Sequence, residues 1–215
     1  TYLDFKIPAT YAEPITIKHL MTHTPGFEEK GDGLFKLNPE EVMSLGDYLK
    51  QYLPERVFPP GKIGAYSNYG VALAGYIVER ISGMPFTEYI EKSILAPLGM
   101  TQATFRQPLP DNLAAAGYNL SGGGHIKGGF EYVVANPAGA LSASGLDMAR
   151  FMIAHLQNGR YENAQILKET TARQMHSRLL SSDPRLSGMA YGFFENTIND
   201  QYVISHGGDT MLFHS

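Results

Sequence analysis

The sequence predicts an α+β fold, with a mainly helical region in the middle of the chain and strands near its end. Apolar residues recur at helical spacing in the segment from Tyr66 to Gly83. Strand character appears late, in the segments that begin at Tyr191 and Gln201. The helices and strands therefore do not alternate as they do in βαβ proteins with a parallel sheet.

The helix that follows Tyr66 is the best-defined element of the sequence. Leu73 and Ile77 belong to its apolar face, which repeats at helical spacing. Ser67 or Asn68 can cap the first turn. Gly83 is typical of a left-handed helix end, so the helix is expected to stop there.

Capping residues and helix breakers place the other helices. Thr16 is a typical N-cap of a short helix over Ile17–Thr22, which Pro25-Gly26 terminates, and Ser44 is the N-cap of a helix that Pro54 closes. Further helices are predicted for residues 86–96, 144–158 and 166–179.

The chain divides into three consecutive parts of one folding unit. Residues 1–15 are expected to be extended, residues 16–140 mainly helical, and residues 141–215 helical at first and then strand-forming. Residues 24–43 are glycine-rich, charged and poorly periodic, which predicts an exposed loop, and the glycine- and proline-rich residues 106–140 predict a flexible loop.

Composition excludes several classes of function. The chain has 215 residues, with 17 Lys and Arg against 21 Asp and Glu, and its net charge of −4 does not favour nucleic acid as a partner. It has no cysteine, which excludes disulfides, thiol catalysis and cysteine metal sites. The sequence contains no apolar run of about 18 residues. The lack of cysteine suits an extracytoplasmic protein of the periplasm or cell envelope.

His19 and His23 are four residues apart on the first helix, which is a spacing that metal ligands use. The pattern lacks the glutamate of His-Glu-x-x-His, and the sequence offers no third ligand. We therefore expect these histidines to hydrogen-bond nearby backbone groups, and we predict no metal site and no cofactor.

Tyr66-Ser67-Asn68 is the first candidate for chemistry. The three polar side chains lie where a helix begins, and the positive end of a helix stabilises a developing negative charge. The alternative interpretation is a helix cap beside a packing tyrosine.

The second candidate begins where the strand at Tyr202 reaches His206. Gly207 and Gly208 follow, and two glycines weaken a strand unless another backbone approaches it closely. A substrate could lie along that edge as an added strand, with the imidazole beside it. The alternative is a β-bulge or turn with an incidental histidine.

Six segments in order resemble the serine β-lactamase-related, penicillin-binding-protein-like family, which includes class C β-lactamases, D-alanyl-D-alanine carboxypeptidases, family VIII esterases and D-aminopeptidases. The resemblance covers nearly the whole chain. It implies a mostly helical domain joined to part of an antiparallel sheet with flanking helices. The segments are Thr16–Gly26, Pro60-Gly61, Tyr66-Ser67-Asn68, Pro97–Met100, Asp147–Phe151 and His206-Gly207-Gly208.

The resemblance implies a role for each candidate residue. Tyr66 would be the base that activates a serine nucleophile, and Asn68 would donate to the substrate's amide carbonyl. His206 would face the substrate's carboxylate or leaving group. Gly207 and Gly208 would keep the strand edge open, and the N–H of Asp209 would form half of an oxyanion hole.

The family's first motif, Ser-x-x-Lys, is not present, because no serine in the chain is followed three residues later by lysine. The resemblance places that motif upstream of Thr1, and it places further strands after Ser215. We therefore expect a catalytic-domain fragment that is incomplete at both ends and inert as given. An unpaired sheet edge would favour self-association.

The predicted function is hydrolysis of amide or ester bonds by an acyl-enzyme route. His206 stands where β-lactamases carry lysine, and Asp209 adds a negative side chain nearby. A peptidase or esterase is therefore favoured over a β-lactamase, with a D-amino-acid peptide, an ester or a β-lactam as substrate. The alternative is a catalytically inactive relative that binds peptidoglycan or a protein partner.

Overall fold

The computed structural model describes residues 2–215, and the α+β prediction is confirmed. A 3-10 helix spans Pro39–Glu41, and one turn of π-helix, Glu91–Leu95, continues the fourth α-helix. The α-helices are α1 (Ile17–Met21), α2 (Leu45–Gln51), α3 (Asn68–Ser82), α4 (Phe86–Ile90), α5 (Asn136–Gly139), α6 (Gly145–Leu156) and α7 (Glu169–Met175).

The strands of residues 2–215 are short and form four separate antiparallel pairs. These pairs are β1 with β4, β2 with β3, β5 with β6, and β7 with β8. The strands are β1 (Phe35–Lys36), β2 (Tyr118–Ser121), β3 (Gly124–Lys127), β4 (Tyr132–Val133), β5 (Arg160–Tyr161), β6 (Ala164–Gln165), β7 (Phe194–Ile198) and β8 (Gln201–Ser205).

Helix α3 is the centre of the main core, and it contacts α1, α2, α4 and α5. Its predicted ends are confirmed: the Ser67 hydroxyl accepts the N–H of Gly70 at 3.0 Å, and Gly83 takes the left-handed conformation with φ 70°. Leu73 is fully buried against Leu49 and Phe27 of neighbouring elements. No helix within residues 2–215 is both long and apolar enough to cross a membrane.

A second apolar cluster joins the segment after α4 to helix α6. Leu98 and Ala154 are fully buried in it. The buried Asp147 carboxylate fixes the contact, because it accepts the N–H of Gln102 at 3.0 Å and pairs with Arg150 at 3.0 Å. This cluster therefore connects the early helical region to the elements that lead to the late strands.

Strands β7 and β8 return the chain to the centre of the molecule. Their pairing runs from Phe194 opposite Ser205 to Ile198 opposite Gln201. The connecting residues Asn199 and Asp200 both have positive φ, 50° and 60°, which is the geometry of a tight hairpin turn. The candidate residue His206 therefore emerges directly from the end of a paired strand.

The structure corrects two loop predictions. Residues 106–140 contain β2, β3, β4 and α5, and the glycines in this stretch form a hairpin turn, with φ 58° at Gly122 and 83° at Gly123. Residues 24–43 are partly buried rather than wholly exposed, because Phe27 and Leu34 enter the main core. Both stretches were misjudged because frequent glycine and proline masked short strands.

Three boundaries also differ from the sequence prediction. The helix predicted at 86–96 changes to π-helical pairing after Ile90, the helix predicted at 166–179 is shortened to α7, and the late strand begins at Phe194 rather than Tyr191. Helix ends depend on backbone pairing that propensity does not specify.

Gly75 of α3 is expected to be intolerant of a side chain, because a Cβ there would lie 2.3 Å from Cγ of Pro137 in α5. Gly75→Ala should lower the free energy of unfolding by about 1–3 kcal/mol through overpacking. Gly70→Ala is the matched control, since its Cβ would meet nothing nearer than 3.4 Å. That variant should be neutral or up to about 1 kcal/mol more stable, because alanine favours helix. Equal effects of the two substitutions in urea unfolding would contradict this packing.

Candidate active site

Tyr66 and His206 lie in the same place, although the sequence separates them widely. Their ring centroids are 6.0 Å apart. Tyr66 immediately precedes the N-cap of α3, and His206 immediately follows β8. The start of the central helix and the end of the late hairpin therefore bring the two candidate rings together.

Two further rings complete an aromatic cluster that the sequence analysis did not identify. His23 stacks on Tyr66 with centroids 4.4 Å apart. Phe194, the first residue of β7, lies 5.3 Å from His206 and 6.4 Å from Tyr66. His23 belongs to the Thr-His-Thr-Pro-Gly segment that carries part of the family resemblance, whereas nothing in the sequence pattern identified Phe194.

His23 fixes the segment that carries Tyr66. Its Nδ1 accepts the N–H of Ser67 at 3.1 Å, and its carbonyl oxygen accepts the N–H of Ala65 at 2.8 Å. The backbone of His23 is left-handed, with φ 49°, which aims its imidazole at the start of α3. One histidine therefore holds the residues on either side of Tyr66.

The His23 imidazole is neutral at pH 7. Burial lowers its pKa to about 4, and the nearby His206 contributes in the same direction. Because Nδ1 accepts a hydrogen bond, the single proton is on Nε2. His19 behaves similarly, since its Nδ1 accepts the N–H of Thr16 at 3.2 Å. The prediction that these two histidines bond to backbone groups is confirmed.

The positive end of α3 already holds a negative charge. The Glu29 carboxylate accepts the backbone N–H of Asn68 at 3.1 Å and the Nδ2–H of Asn68 at 2.8 Å. The buried Ser67 hydroxyl accepts the N–H of Gly70. The prediction that this helix end is available to a developing charge of the substrate is therefore wrong for this arrangement. The sequence analysis did not identify Glu29, which lies in a stretch that it assigned to an exposed loop.

The Tyr66 phenol is unpaired and protonated at neutral pH. Its hydroxyl makes no hydrogen bond within residues 2–215. Burial raises the pKa of this phenol, and the charge of Glu29 raises it further. Tyr66 therefore needs a nearby cation before it can act as a base.

The His206-Gly207-Gly208 segment leads into a tight hairpin. The Nδ1–H of His206 donates to the carbonyl of Gly207 at 2.6 Å. Gly208 exchanges both backbone hydrogen bonds with Ser215, at 2.9 and 2.8 Å, and a Cβ at Gly208 would lie 2.7 Å from the Ser215 hydroxyl. The chain itself therefore approaches Gly208 closely, at the position where the sequence predicted an added substrate strand.

Asp209 is exposed, and its carboxylate lies 2.5 Å from Nδ1 of the exposed His214. Its backbone N–H has no acceptor among the described residues, since the hairpin bonds use Gly208 and Thr210 instead. The Asp209 N–H is therefore an available donor, as an oxyanion contact requires.

A cleft of about 530 Å³ opens beside the aromatic cluster. Tyr66 and Gly207 line it, whereas Asn68 turns to Glu29 outside its wall. The lining residues include no lysine or arginine. They are Thr22, His23, Gly64, Tyr66, Leu180, Ser181, Ser182, Ser187, Gly188, Met189, Phe194, Glu195, Asn196, Ser205 and Gly207.

The segment 180–189 forms the far wall of the cleft and is held by a buried carboxylate. Glu195 is only 4% exposed, and it accepts the N–H of Gly188 at 2.9 Å and pairs with Nε of Arg178 at 2.5 Å. The cleft thus combines aromatic and aliphatic surface with serine hydroxyls, and the one carboxylate among its lining residues is neutralised by its arginine partner.

Comparison with known sequences gives a consistent result over the whole chain. The family model described as Beta-lactamase matches residues 1–215. Protein flp from Staphylococcus aureus (strain NCTC 8325) is 28% identical over 214 residues, which cover 94% of this chain and 40% of that protein. The chain therefore spans less than half the length of the curated relatives that it matches.

Comparison with solved structures supports the same fold. The octameric penicillin-binding protein homologue from Pyrococcus abyssi has a TM-score of 0.80 and 26% identity, over 97% of this chain and 49% of that one. The D-amino acid amidase from Ochrobactrum anthropi SV3, complexed with L-phenylalanine amide, has a TM-score of 0.72 and 20% identity, over 90% and 56%. At that identity the amidase indicates the fold alone.

His23→Asn tests the electrostatic state of the site. Asparagine tolerates left-handed backbone, and its side-chain oxygen can accept the N–H of Ser67 in place of Nδ1. In the wild type, His23 has a pKa of about 4 in the folded protein and about 6.5 in the unfolded chain, so the unfolded chain binds the proton first as the pH falls. Acid therefore lowers the free energy of unfolding of the wild type by up to about 3 kcal/mol. We expect the free energy of unfolding, measured with denaturant, to fall by up to about 3 kcal/mol less in the variant than in the wild type between pH 7.5 and pH 4. Parallel stability curves would contradict a buried neutral His23.

Proposed function

This chain belongs to the Beta-lactamase family, and from that premise we propose that it contributes the substrate cleft of a serine hydrolase that cleaves amide or ester bonds through an acyl-enzyme. The observation that carries the proposal is that Tyr66 and Gly207 line one cleft, and that the rings of Tyr66 and His206 lie 6.0 Å apart beside it. These residues lie in motifs in which the resemblance implies a base and a substrate-binding strand.

The nucleophile of this hydrolase lies outside the 215 residues. No serine here is followed three residues later by lysine, and among the described residues 2–215 no cation lies beside the Tyr66 phenol to lower its pKa. A lysine brought next to Tyr66 would supply that charge, and the adjacent serine would then be activated by the phenolate. We therefore expect the chain as given to be inactive.

The strand edge after β8 would bind the substrate. The free N–H of Asp209 provides half of an oxyanion hole, and the serine N–H provides the other half. The Nδ1–H of His206 is held by Gly207, so its Nε2 is left to accept a proton from, or to donate one to, the leaving-group side. The family resemblance assigns Asn68 the role of donor to the acyl carbonyl; in this structure its side chain donates to Glu29 and does not line the cleft, so that contact would require Asn68 to turn toward the cleft.

The charges of the site favour a peptidase, amidase or esterase over a β-lactamase. A β-lactam carries a carboxylate, and the cleft lining offers no lysine or arginine to meet it. His206 stands where a β-lactamase carries a lysine, so the fixed ammonium is missing there, and Asp209 places a negative side chain next to it. The relationship in fold to a D-amino acid amidase agrees with an amide substrate.

A catalytically inactive relative is the second candidate, and the lack of Ser-x-x-Lys in these 215 residues favours it. Such a protein would use the same cleft to bind peptidoglycan or a protein partner. We also propose an extracytoplasmic location, and self-association through the unpaired edges of the two-stranded sheets.

Tyr66→Phe separates these candidates in a protein extended upstream to include a Ser-x-x-Lys segment. The substitution keeps the ring that stacks on His23 and removes only the hydroxyl. We expect kcat for p-nitrophenyl acetate or a D-Ala-D-Ala peptide to fall by about 100- to 10 000-fold. Tyr118→Phe, on the exposed strand β2, is the matched control and should be unchanged. Undiminished turnover in the Tyr66 variant would remove it as the base, and a coding sequence without Ser-x-x-Lys would favour the inactive relative.

His206→Lys tests the argument about substrate charge. A fixed ammonium at this position should raise the turnover of benzylpenicillin relative to a neutral ester by about 10-fold, because a hydrogen bond to a charged group is worth roughly 1.5–3 kcal/mol. His125→Lys adds the same charge on the exposed strand β3, and should leave the ratio unchanged. The argument fails if both variants change the ratio equally.

A further inference from the structure

We propose that Glu131 is a positioning residue for this reaction, because it holds the hairpin that presents the backbone N–H of Asp209 to the substrate. The inference rests on the proposed function, since it concerns the same acyl transfer. Glu131 is not among the residues that line the cleft, so it acts through Thr210 and is assigned no contact with the substrate.

Glu131 carries a buried carboxylate that is only partly satisfied. The residue is 8% exposed, and its Oε1 has no hydrogen-bond partner within residues 2–215. None of the ion pairs of the same residues includes it. A buried carboxylate without a cation lowers the stability of a fold. Such a departure from good packing is expected where a residue serves the function of the protein.

The other oxygen of this carboxylate, Oε2, accepts the hydroxyl of Thr210 at 2.7 Å. The bond joins segments that lie 79 residues apart in the chain. Glu131 directly precedes strand β4, which pairs with β1, and the N–H of Val133 donates to Oε1 of Gln107 at 2.7 Å. Val133 is also buried in the main core. The acceptor of the Thr210 hydroxyl is therefore fixed by the core and not by the late hairpin.

Thr210 closes the turn of the hairpin that follows His206. Its backbone N–H donates to the carbonyl of Phe213 at 2.9 Å, and its hydroxyl accepts the N–H of Phe213 at 3.1 Å. The same hydroxyl donates to Glu131. One side chain thus shapes the turn and attaches it to the rest of the molecule.

The register of this hairpin directs the Asp209 N–H to the free edge of the strand. Gly208 and Thr210 point their backbone groups across the hairpin. Alternate residues of an antiparallel pair point to opposite edges, so the N–H groups of Gly207 and Asp209 point the other way. Gly207 lines the cleft, and Asp209 therefore presents its N–H along the same edge.

A second contact keeps the turn from depending on Glu131 alone. Leu212 packs against the base of the β2–β3 hairpin, where a Cβ on Gly117 would lie 2.6 Å from Cβ of Leu212 and a Cβ on Gly128 would lie 2.3 Å from its Cδ1. Loss of the bond between Glu131 and Thr210 is therefore expected to loosen the hairpin without unfolding it.

A competing interpretation is that Glu131 only stabilises the fold. In that case its loss would lower the amount of folded enzyme, and the activity on all substrates would fall by the same factor. A displaced oxyanion donor instead affects most the substrates whose oxyanion accepts strong hydrogen bonds. An ester and its thiono analogue, in which sulfur replaces the carbonyl oxygen, separate the two interpretations because sulfur is a weak acceptor.

Glu131→Leu and Thr210→Val, each made in the protein that includes the Ser-x-x-Lys segment, test the proposal. Both remove the bond between the two side chains. We expect kcat/KM for p-nitrophenyl acetate to fall by about 10- to 100-fold, because a small displacement of a group in the site is costly. The preference for this ester over p-nitrophenyl thionoacetate should fall by about 10-fold, since part of the oxyanion contact is lost.

Glu131→Gln is the conservative variant, because its amide keeps an oxygen that can accept the Thr210 hydroxyl while the charge is removed. It should retain the preference of the wild type for the oxygen ester. Thr197→Val is the matched control for Thr210→Val, since it removes an exposed hydroxyl of β7 outside the cleft lining, and it should change neither activity nor preference.

Two outcomes would overturn the proposal. One is an unchanged preference between the two esters in Thr210→Val, which decides the question even if Glu131→Leu fails to fold. The other is an equal loss of preference in Glu131→Gln and Glu131→Leu, because the hydrogen-bond acceptor would then not be what matters.

Amide hydrogen exchange distinguishes failure of this proposal from failure of the proposed function. If the wild type hydrolyses neither ester, the hydrolase assignment fails, and exchange in the same protein still tests the attachment. The N–H groups of Gly208, Thr210 and Ser215, which are bonded across the hairpin, should exchange about 10-fold faster in Thr210→Val than in the wild type. Amides within α3 should keep their rates. Unchanged exchange at the three hairpin amides would overturn the inference.

Discussion

The hydrogen bond from the Ser67 N–H to His23 Nδ1 is the interaction on which the site depends. It joins the left-handed turn after α1 to the first residues of α3, and the bond from Ala65 to the carbonyl of His23 closes the same link. Tyr66 lies between these two attachments and stacks on the imidazole. Because the acceptor must be a neutral nitrogen, burial of His23 and its lowered pKa are part of the same arrangement.

The electrostatics of the site follow from one carboxylate. Glu29 occupies the positive end of α3, and its charge raises the pKa of the Tyr66 phenol, which burial has already raised. Both effects oppose the phenolate, so activation of a nucleophile at Tyr66 requires a cation close enough to outweigh them. The same negative potential opposes anionic substrates. The raised pKa of Tyr66 and the proposed preference against anionic substrates would thus share one contribution, the charge of Glu29.

The sequence predicted those parts of the site that local signals and ordered motifs specify, and it missed residues whose role depends on contacts between distant segments. The predictions of the ends of α3 and of the proximity of Tyr66 and His206 were correct. Caps, helical periodicity and ordered motifs can each be recognised in short segments of the sequence. Glu29 and Phe194 were missed, since their importance comes from partners far away in the sequence. The hairpin β2–β3 was missed for a different reason: its turn residues, Gly122 and Gly123, belong to a run of three glycines, which by itself indicates only flexibility.

The far wall of the cleft shows why a motif-based assignment leaves the substrate open. Segment 180–189 contains no family motif, and yet it contributes six of the cleft-lining residues. It is held by the ion pair of Arg178, which follows α7, and Glu195, which lies on β7. The sequence alone does not indicate that these two residues pair. The motifs at Tyr66 and His206 define where a bond would be broken. The width and polarity of the space beside them depend on this ion pair, so relatives that share the motifs can differ in the substrates that fit.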